Sequence, residues 1–238
     1  IVRRLKLPAK KGGNSFFWDL RSAPVSNVSI GGEGPVSVFA SAEKGYPVLP
    51  GNYKVSLSKF QHGMYTDLDA STTIKASPLN NATIKAEDQN AVLAFNKDVA
   101  EMRRLSSMVQ RYQGDLSNKL RFIKAAFLQT PKLPLSVNSE ALALEERLRK
   151  VGILMNGDQT LSSREFETMP GINGKVFSII GSLWDISSGP TGSMKKTFTE
   201  TNAELNKVIN EVNAITEEVS KIEMQLEKAG APYTPGRM

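Results

Sequence analysis

The first third of the chain alternates hydrophobic and polar residues in short runs that are separated by turn residues. Tyr53, Val55 and Leu57 alternate with lysine and serine, which is the period of two expected of a half-buried β-strand. A Pro-Gly pair precedes this run and predicts the turn that starts it, and a second alternating run covers residues 71–76. Several short strands with turns between them predict a small Ig-like or fibronectin-like β-sandwich over residues 1–86.

From Glu87 onward the hydrophobic residues recur every three or four positions, which is the period of an amphipathic helix. Pro131 and Pro134 are expected to end the first helix, and Ser139 to begin a shorter one. Short connections predict an antiparallel helical bundle over residues 87–238, so the fold class is α+β. The first stripe consists of Phe95, Val99, Met102, Leu105, Val109, Tyr112 and Leu116.

The last predicted helix, at about residues 192–229, carries a heptad pattern. Its hydrophobic residues follow a spacing of alternating threes and fours, and Gly230 with Pro232 behind it predicts the end of the helix. We expect this stripe to pack inside the bundle, and the alternative is that it binds another chain. The stripe consists of Phe198, Leu205, Val208, Val212, Ile215, Val219, Ile222 and Leu226.

The positive charge is concentrated in the β-rich part. Up to Ala86 the chain has 11 Lys or Arg residues and 5 Asp or Glu residues, so this part carries the whole net charge of +6. A nucleic-acid-binding module concentrates Lys and Arg on one element, with aromatic residues between them. Here the bases occur singly along the predicted strands. We therefore predict a solvated basic surface and no nucleic-acid partner.

The residue types present exclude several kinds of catalytic and metal site. The chain has no cysteine and one histidine, His62, which excludes a disulfide framework, a thiolate zinc site and a multi-histidine centre. His62 lies at a predicted hairpin tip, where a lone histidine is usually a solvated side chain. No nucleophile elbow, phosphate loop or glycine-rich dinucleotide turn occurs. We predict no catalytic residue, no cofactor and no enzyme activity for this chain.

The apolar runs are short and the first residue is not methionine. No run is long enough to cross a membrane, so we predict no transmembrane segment. The basic residues near the start are not followed by the apolar core of a signal peptide. Because the chain begins at Ile1, we expect it to be part of a longer protein, either a cleavage product or the ordered part.

One polar segment has the spacing of a calcium-binding loop. Asn156, Asp158, Thr160 and Glu167, together with a serine, occupy positions 1, 3, 5, 7 and 12 of such a loop. Position 1 is Asn, however, and Leu161 stands where the sharp turn requires Gly. Asp67 and Asp69 also have calcium-like spacing, but they lack the distal glutamate. We therefore predict a polar connection between helices and no metal site.

Several stretches, taken in order, resemble one protein family. They are residues 1–5 (IVRRL), 9–12 (AKKG), 18–21 (WDLR), 48–57 (VLPGNYKVSL) and the ending at 229–237 (AGAPYTPGR). Together they resemble the C-terminal region of bacterial sortilin-like proteins with a BNR-repeat β-propeller, which are common in Bacteroidota and often labelled glycosyl hydrolases. The resemblance covers most of the chain and is strongest at residues 1–57 and at the C-terminus.

This resemblance implies a parent protein with a signal peptide and a large N-terminal propeller, exported to the cell envelope, the periplasm or the outer-membrane surface. The chain would then be a non-catalytic accessory region of a secreted or outer-membrane-associated protein. Its partner would be its own N-terminal propeller or another envelope protein. The hydrolase label follows from repeat similarity at the level of fold, so no catalytic residue is transferred to this chain.

Two alternative functions stay open at this point. In the first, the chain belongs to a propeller glycoside hydrolase whose active site lies in the N-terminal region. In the second, it is a stand-alone structural assembly module that uses its heptad helix to bind another chain.

Overall fold

A computed structural model describes residues 1–7, 9–28, 44–79, 84, 86–186 and 188–237. Within these ranges the chain forms two strands and five helices, and the fold is α+β. In chain order the elements are β1 (Gly51–Gln61), β2 (Met64–Ala76), α1 (Gln89–Leu128), α2 (Leu135–Asn156), α3 (Gln159–Ser162), α4 (Ile172–Leu183) and α5 (Gly192–Lys228).

Strands β1 and β2 form an antiparallel hairpin. Its ladder runs from the Gly51–Ala76 pair to the closing Gln61–Met64 pair, and only two residues connect the strands. His62 and Gly63 have φ angles of 51° and 79°. Positive φ at both central residues is typical of a type I′ turn, whose twist matches that of the two strands.

A β-bulge interrupts β2 near its middle. Leu57 pairs with Ala70 and Ser58 with Asp67, so two residues of β2 are extra at this point. One of them, Asp69, has a φ of 52°, and its backbone N–H donates a hydrogen bond of 3.0 Å to the Asp67 carboxylate.

The predicted sandwich is not shown by the described residues. A sandwich needs two facing sheets, whereas the described part of the chain has one sheet of two strands. The aromatic run at residues 16–20 forms no strand, and Arg21 makes a single antiparallel bridge to Pro47. Residues 29–43 and 80–83 of the predicted sandwich lie outside the described residues. The prediction treated each short run as a strand, although a run becomes a strand only where another backbone pairs with it.

The long helices occupy the segments in which the hydrophobic period changed. Helix α1 continues through Gly114, where a Cβ would meet open space, and it ends before Pro131. Helix α2 begins four residues before the expected start at Ser139, because Pro134 serves as its N-cap with a φ of −68°. Proline therefore does not only end a helix here, since its fixed φ also suits the residues that begin one.

The ends of α5 show recognisable capping. The hydroxyl of Thr191 accepts a hydrogen bond of 3.2 Å from the backbone N–H of Met194. At the other end Gly230 has a φ of 67°, directly after the C-cap residue Ala229. The helix covers Gly192–Lys228, where the sequence pattern predicted a helix at about 192–229.

The chain divides into two compact units that do not follow a single border at residue 86. The first unit includes the β1–β2 hairpin and the start of α1, and the second includes most of the helical residues. The first consists of Ile1–Pro24, Ser41–Lys97 and Leu183–Pro190, and the second of Val25–Ala40, Asp98–Ser182 and Thr191–Met238.

The core of the second unit includes buried residues of α1, α2, α4 and α5, and α2 packs on α5. The heptad stripe of α5 is buried from Leu205 to Leu226, so it is not free to bind another chain in this structure. Burial of such stripes is the main source of stability for a helical bundle. The matching residues of α2 are Val137, Ala141, Leu144, Leu148, Val151 and Met155.

Candidate interaction surface

The register of the hairpin sorts its side chains onto two faces. Residues that are directly opposite in an antiparallel pair project to the same side of the sheet, and successive residues of a strand alternate. We call the side with the odd-numbered residues of β1 the apolar face. It carries Tyr53, Val55, Leu57, Lys59 and Gln61 of β1, and Ile74, Thr72, Ala70, Thr66 and Met64 of β2.

One end of the apolar face is covered within the first unit. The rings of Trp18 and Tyr53 meet edge to face, with centroids 5.1 Å apart. The indole N–H of Trp18 donates a hydrogen bond of 2.9 Å to the carbonyl of Arg21, and the hydroxyl of Tyr53 donates to the carbonyl of Leu49. These contacts leave Tyr53 and Val55 half-buried.

The other end of the apolar face, toward the hairpin tip, is open. Leu57 is 54% exposed and Met64 is 70% exposed. Large apolar side chains on a regular sheet face are normally covered by a second layer about 10 Å away. The open end, defined by Leu57, Lys59 and Met64, is therefore the candidate interaction surface of this unit.

The opposite face is polar except near the tip. Phe60 and Tyr65 form a directly opposed pair with ring centroids 4.6 Å apart. The ammonium of Lys6 lies 5.8 Å from the centroid of the Phe60 ring, within the range of a cation–π contact. This aromatic pair therefore has Lys6 as a neighbour within its own unit.

In the second unit the acidic side chains form ion pairs between helices. Arg147 of α2 holds Glu211 and Glu218 of α5, each at 2.7 Å. Lys119 of α1 holds Glu223 of α5 at 3.0 Å. The hydrogen bonds that Arg147 donates to the two glutamates raise its pKa. These carboxylates therefore form ion pairs that connect neighbouring helices.

The second unit also has an open groove between α1 and α5, with a volume of about 410 Å³. Tyr112 and Asn213 contribute polar groups to it, and Asn27 donates its amide hydrogen bond to the carbonyl of Ser107 at 2.7 Å. The lining also includes the Arg111–Asp115 ion pair and four apolar side chains, so Asp115 is the one carboxylate among the described lining residues. A glycosidase would require a pair of facing carboxylates.

The structure uses the calcium-loop candidates for other contacts. The carboxylate of Asp158 caps α3 by accepting from the backbone N–H groups of Thr160 and Leu161, and from the Thr160 hydroxyl. The hydrogen bond from the Thr160 hydroxyl is the main reason that the pKa of Asp158 is lowered. The side-chain oxygen of Asn156 accepts from the Asn173 amide at 2.9 Å. Glu167 is exposed and makes none of these contacts.

His62 is exposed at the hairpin turn, and Asp67 and Asp69 lie at the bulge. Across the described residues, no group of three His, Asp or Glu side chains is placed to hold a metal ion.

The C-terminal tail is ordered, which the sequence pattern did not predict. Thr234, Pro235, Gly236 and Arg237 form a turn in which the Arg237 N–H donates to the Thr234 carbonyl at 3.1 Å. Gly236 has a φ of 83°, which with the preceding proline is typical of a type II turn. The turn buries the Arg237 side chain, which donates to the carbonyl of Ala231 at 2.6 Å. The sequence feature that could have predicted this turn is the pair Pro235–Gly236.

None of the helices in the described ranges is long and apolar enough to cross a membrane. Comparison with protein-family models, with curated proteins and with solved structures finds no match to this chain.

Proposed function

We propose that this chain is a non-catalytic accessory region of an exported, sortilin-like β-propeller protein of the bacterial cell envelope. It would pack through the open end of the apolar face on the propeller of the same polypeptide or on a partner subunit. The observation that carries this proposal is the exposure of Leu57 and Met64 on a face whose other end is already covered.

The stability of a hairpin supports this interpretation. An isolated two-stranded hairpin is marginally stable in water, and a third strand or a packing layer is generally needed. Here most residues of both strands are exposed. The Ig-like sandwich over residues 1–86 belongs to the same proposal, because it would supply a second layer for the hairpin.

The chemistry of the side chains supports a non-catalytic role. The carboxylates that link α1, α2 and α5 are held by basic residues, as described for Arg147 and Lys119. A general acid needs a raised pKa, whereas the shifted carboxylates of Glu101, Glu146 and Asp158 all have a lowered pKa because they accept hydrogen bonds. The proposed activity of the chain is therefore binding, with no cofactor.

Peptide mass spectrometry on the protein purified from its source cells tests the proposal. We expect peptides from a propeller upstream of Ile1 in the same polypeptide. A single species of 26.0 kDa without such peptides would contradict the proposal.

A further inference from the structure

The hairpin also indicates how its partner approaches, an inference that rests on the proposed function. A two-stranded sheet can be extended by a third strand at either edge, or it can be covered on one face. These two modes make different demands on the hairpin, because edge addition uses backbone groups and face packing uses apolar side chains.

The backbone groups at both edges are unused by the described residues. No backbone hydrogen bond joins the outer edge of β1 or β2 to another described segment. Exposed edges of this kind usually carry features that prevent a further strand from adding, such as lysine side chains and β-bulges. Both features are present here.

On β1 the charged residues are two lysines, Lys54 and Lys59, and the strand has no acid. Lys59 projects from the apolar face itself, where an inward-pointing charge is one of the ways in which edge strands avoid pairing. On β2 the bulge at Leu68 and Asp69 breaks the regular spacing of the outer backbone groups. Strand addition is thus disfavoured at both edges, and the open apolar face is left.

The charge of this face restricts the chemistry of its partner. Lys59 makes no ion pair with a described residue, and the apolar face has no carboxylate. Covering Lys59 with a purely apolar surface would leave a desolvated charge without a partner, which is strongly unfavourable. The covering surface must therefore combine apolar area for Leu57 and Met64 with a carboxylate for Lys59.

The size of the open end favours a partner that is covalently connected. A stable interface between separate proteins buries roughly 800 Å² per partner, which corresponds to about 20 residues a side. The open end consists of three side chains and their neighbours on two short strands. A patch of this size is sufficient when the linkage to its partner provides a high effective concentration.

We propose that the open end is covered face to face, and not by strand addition, by an apolar protein surface on the same polypeptide that places a carboxylate beside Lys59.

Hydroxyl-radical footprinting of two neighbouring residues tests the mode of packing. Met64 lies on the apolar face and Tyr65 on the opposite face, and they are 70% and 73% exposed. Both side chains react readily, so each serves as the control for the other. The comparison is between the protein purified from source cells and recombinant residues 1–238.

Face packing predicts that oxidation of Met64 is slower in the source protein by roughly tenfold, as expected when an exposed side chain becomes a core residue. Oxidation of Tyr65 should change little. Slower amide exchange along β1 or β2 with unchanged Met64 oxidation would show strand addition. That result would overturn the inference and the docking through the apolar face, but the accessory role in a longer propeller protein, which peptide mass spectrometry tests, would stand. Equal oxidation of both residues in the two samples would contradict the inference and the proposed docking together.

A charge-reversal pair tests the carboxylate. Lys59→Glu and Lys54→Glu change the same charge on the same strand, on the apolar and the opposite face respectively. In the source protein, Lys59→Glu should abolish most of the protection of Met64, and Lys54→Glu should preserve it. Equal protection in both variants would show that no carboxylate faces Lys59. For each recombinant variant, the far-ultraviolet circular dichroism signal of the β-strands should match that of the wild type, which shows that the hairpin is intact.

Discussion

The buried stripe of α5 permits a stability prediction with an internal control. Ile215 is 0% exposed, whereas Met224 on the same helix is 56% exposed. Replacing Ile215 with alanine removes three carbon atoms from the core. At about 0.8 kcal/mol for each carbon, the lost transfer free energy is about 2.4 kcal/mol. The cavity that is left raises the expected cost to about 3 kcal/mol. Met224→Ala should cost less than about 0.5 kcal/mol.

Urea denaturation, followed by far-ultraviolet circular dichroism at the helix band, measures this difference. With a denaturant slope of about 3 kcal/mol per molar, Ile215→Ala should lower the midpoint by about 1 M. Met224→Ala should leave the midpoint nearly unchanged. If the two variants shift the midpoint equally, the heptad stripe is not buried in the bundle. The alternative in which α5 binds another chain would then be favoured.

Four further predictions concern residues of the second unit. Arg147→Met removes two partly exposed ion pairs, so it should cost about 0.5–1 kcal/mol, and this difference should shrink in concentrated salt when unfolding is measured in both conditions. Gly171→Ala should destabilise by about 1–3 kcal/mol in urea denaturation, because a Cβ there would lie 2.5 Å from the backbone nitrogen of the α2 C-cap glycine. Gly181→Ala, which adds a methyl group to open space inside α4, should stabilise by about 0.5–1 kcal/mol, and a lower midpoint would refute this. Thr160→Val should raise the pKa of Asp158 toward the ordinary aspartate value in a carboxyl NMR titration, because the hydroxyl that lowers it is gone. Since the folded pKa is lowered, the α3 cap is present at neutral pH and is lost as the pH falls through that pKa, and an unchanged titration in the variant would contradict this cause.

The helical part of the fold could be predicted from local pattern. A helix with an apolar stripe of period three to four is stable in water only when the stripe is buried. Prolines and glycines mark the ends of the helices. The hairpin could be predicted in part, since His62 lies between two alternating runs. The second run was expected only from residue 71, whereas β2 begins at Met64, because the residues next to the bulge do not alternate. In each case the residues that predict the element lie within it or next to its ends.

The sandwich could not be judged in this way, because it depends on a second layer. The alternation in Tyr53, Val55 and Leu57 shows that one face of a strand is apolar, but it does not show what covers that face. The candidate surface follows from this difference. At this surface the alternating sequence predicts that Leu57 is buried, whereas the structure leaves it exposed.

The calcium-like spacing was ambiguous for a physical reason. An aspartate followed two residues later by threonine suits a helix N-cap as well as a cation loop, since both place oxygens toward a positive centre. In Asp158 the positive centre is the pair of free N–H groups at the start of α3. The buried Arg237 was missed because a charged residue near the end of a chain is usually solvated.

Site-specific photo-crosslinking shows directly what covers the open end of the apolar face. A benzophenone side chain replaces Leu57 on the apolar face or, as the control, Ser56 on the opposite face of the same strand. After irradiation in the source cells, mass spectrometry identifies the attached residues. We expect efficient crosslinks from position 57 to a propeller on the same polypeptide, and few from position 56. Equal yields at the two positions, or none at position 57, would contradict this expectation.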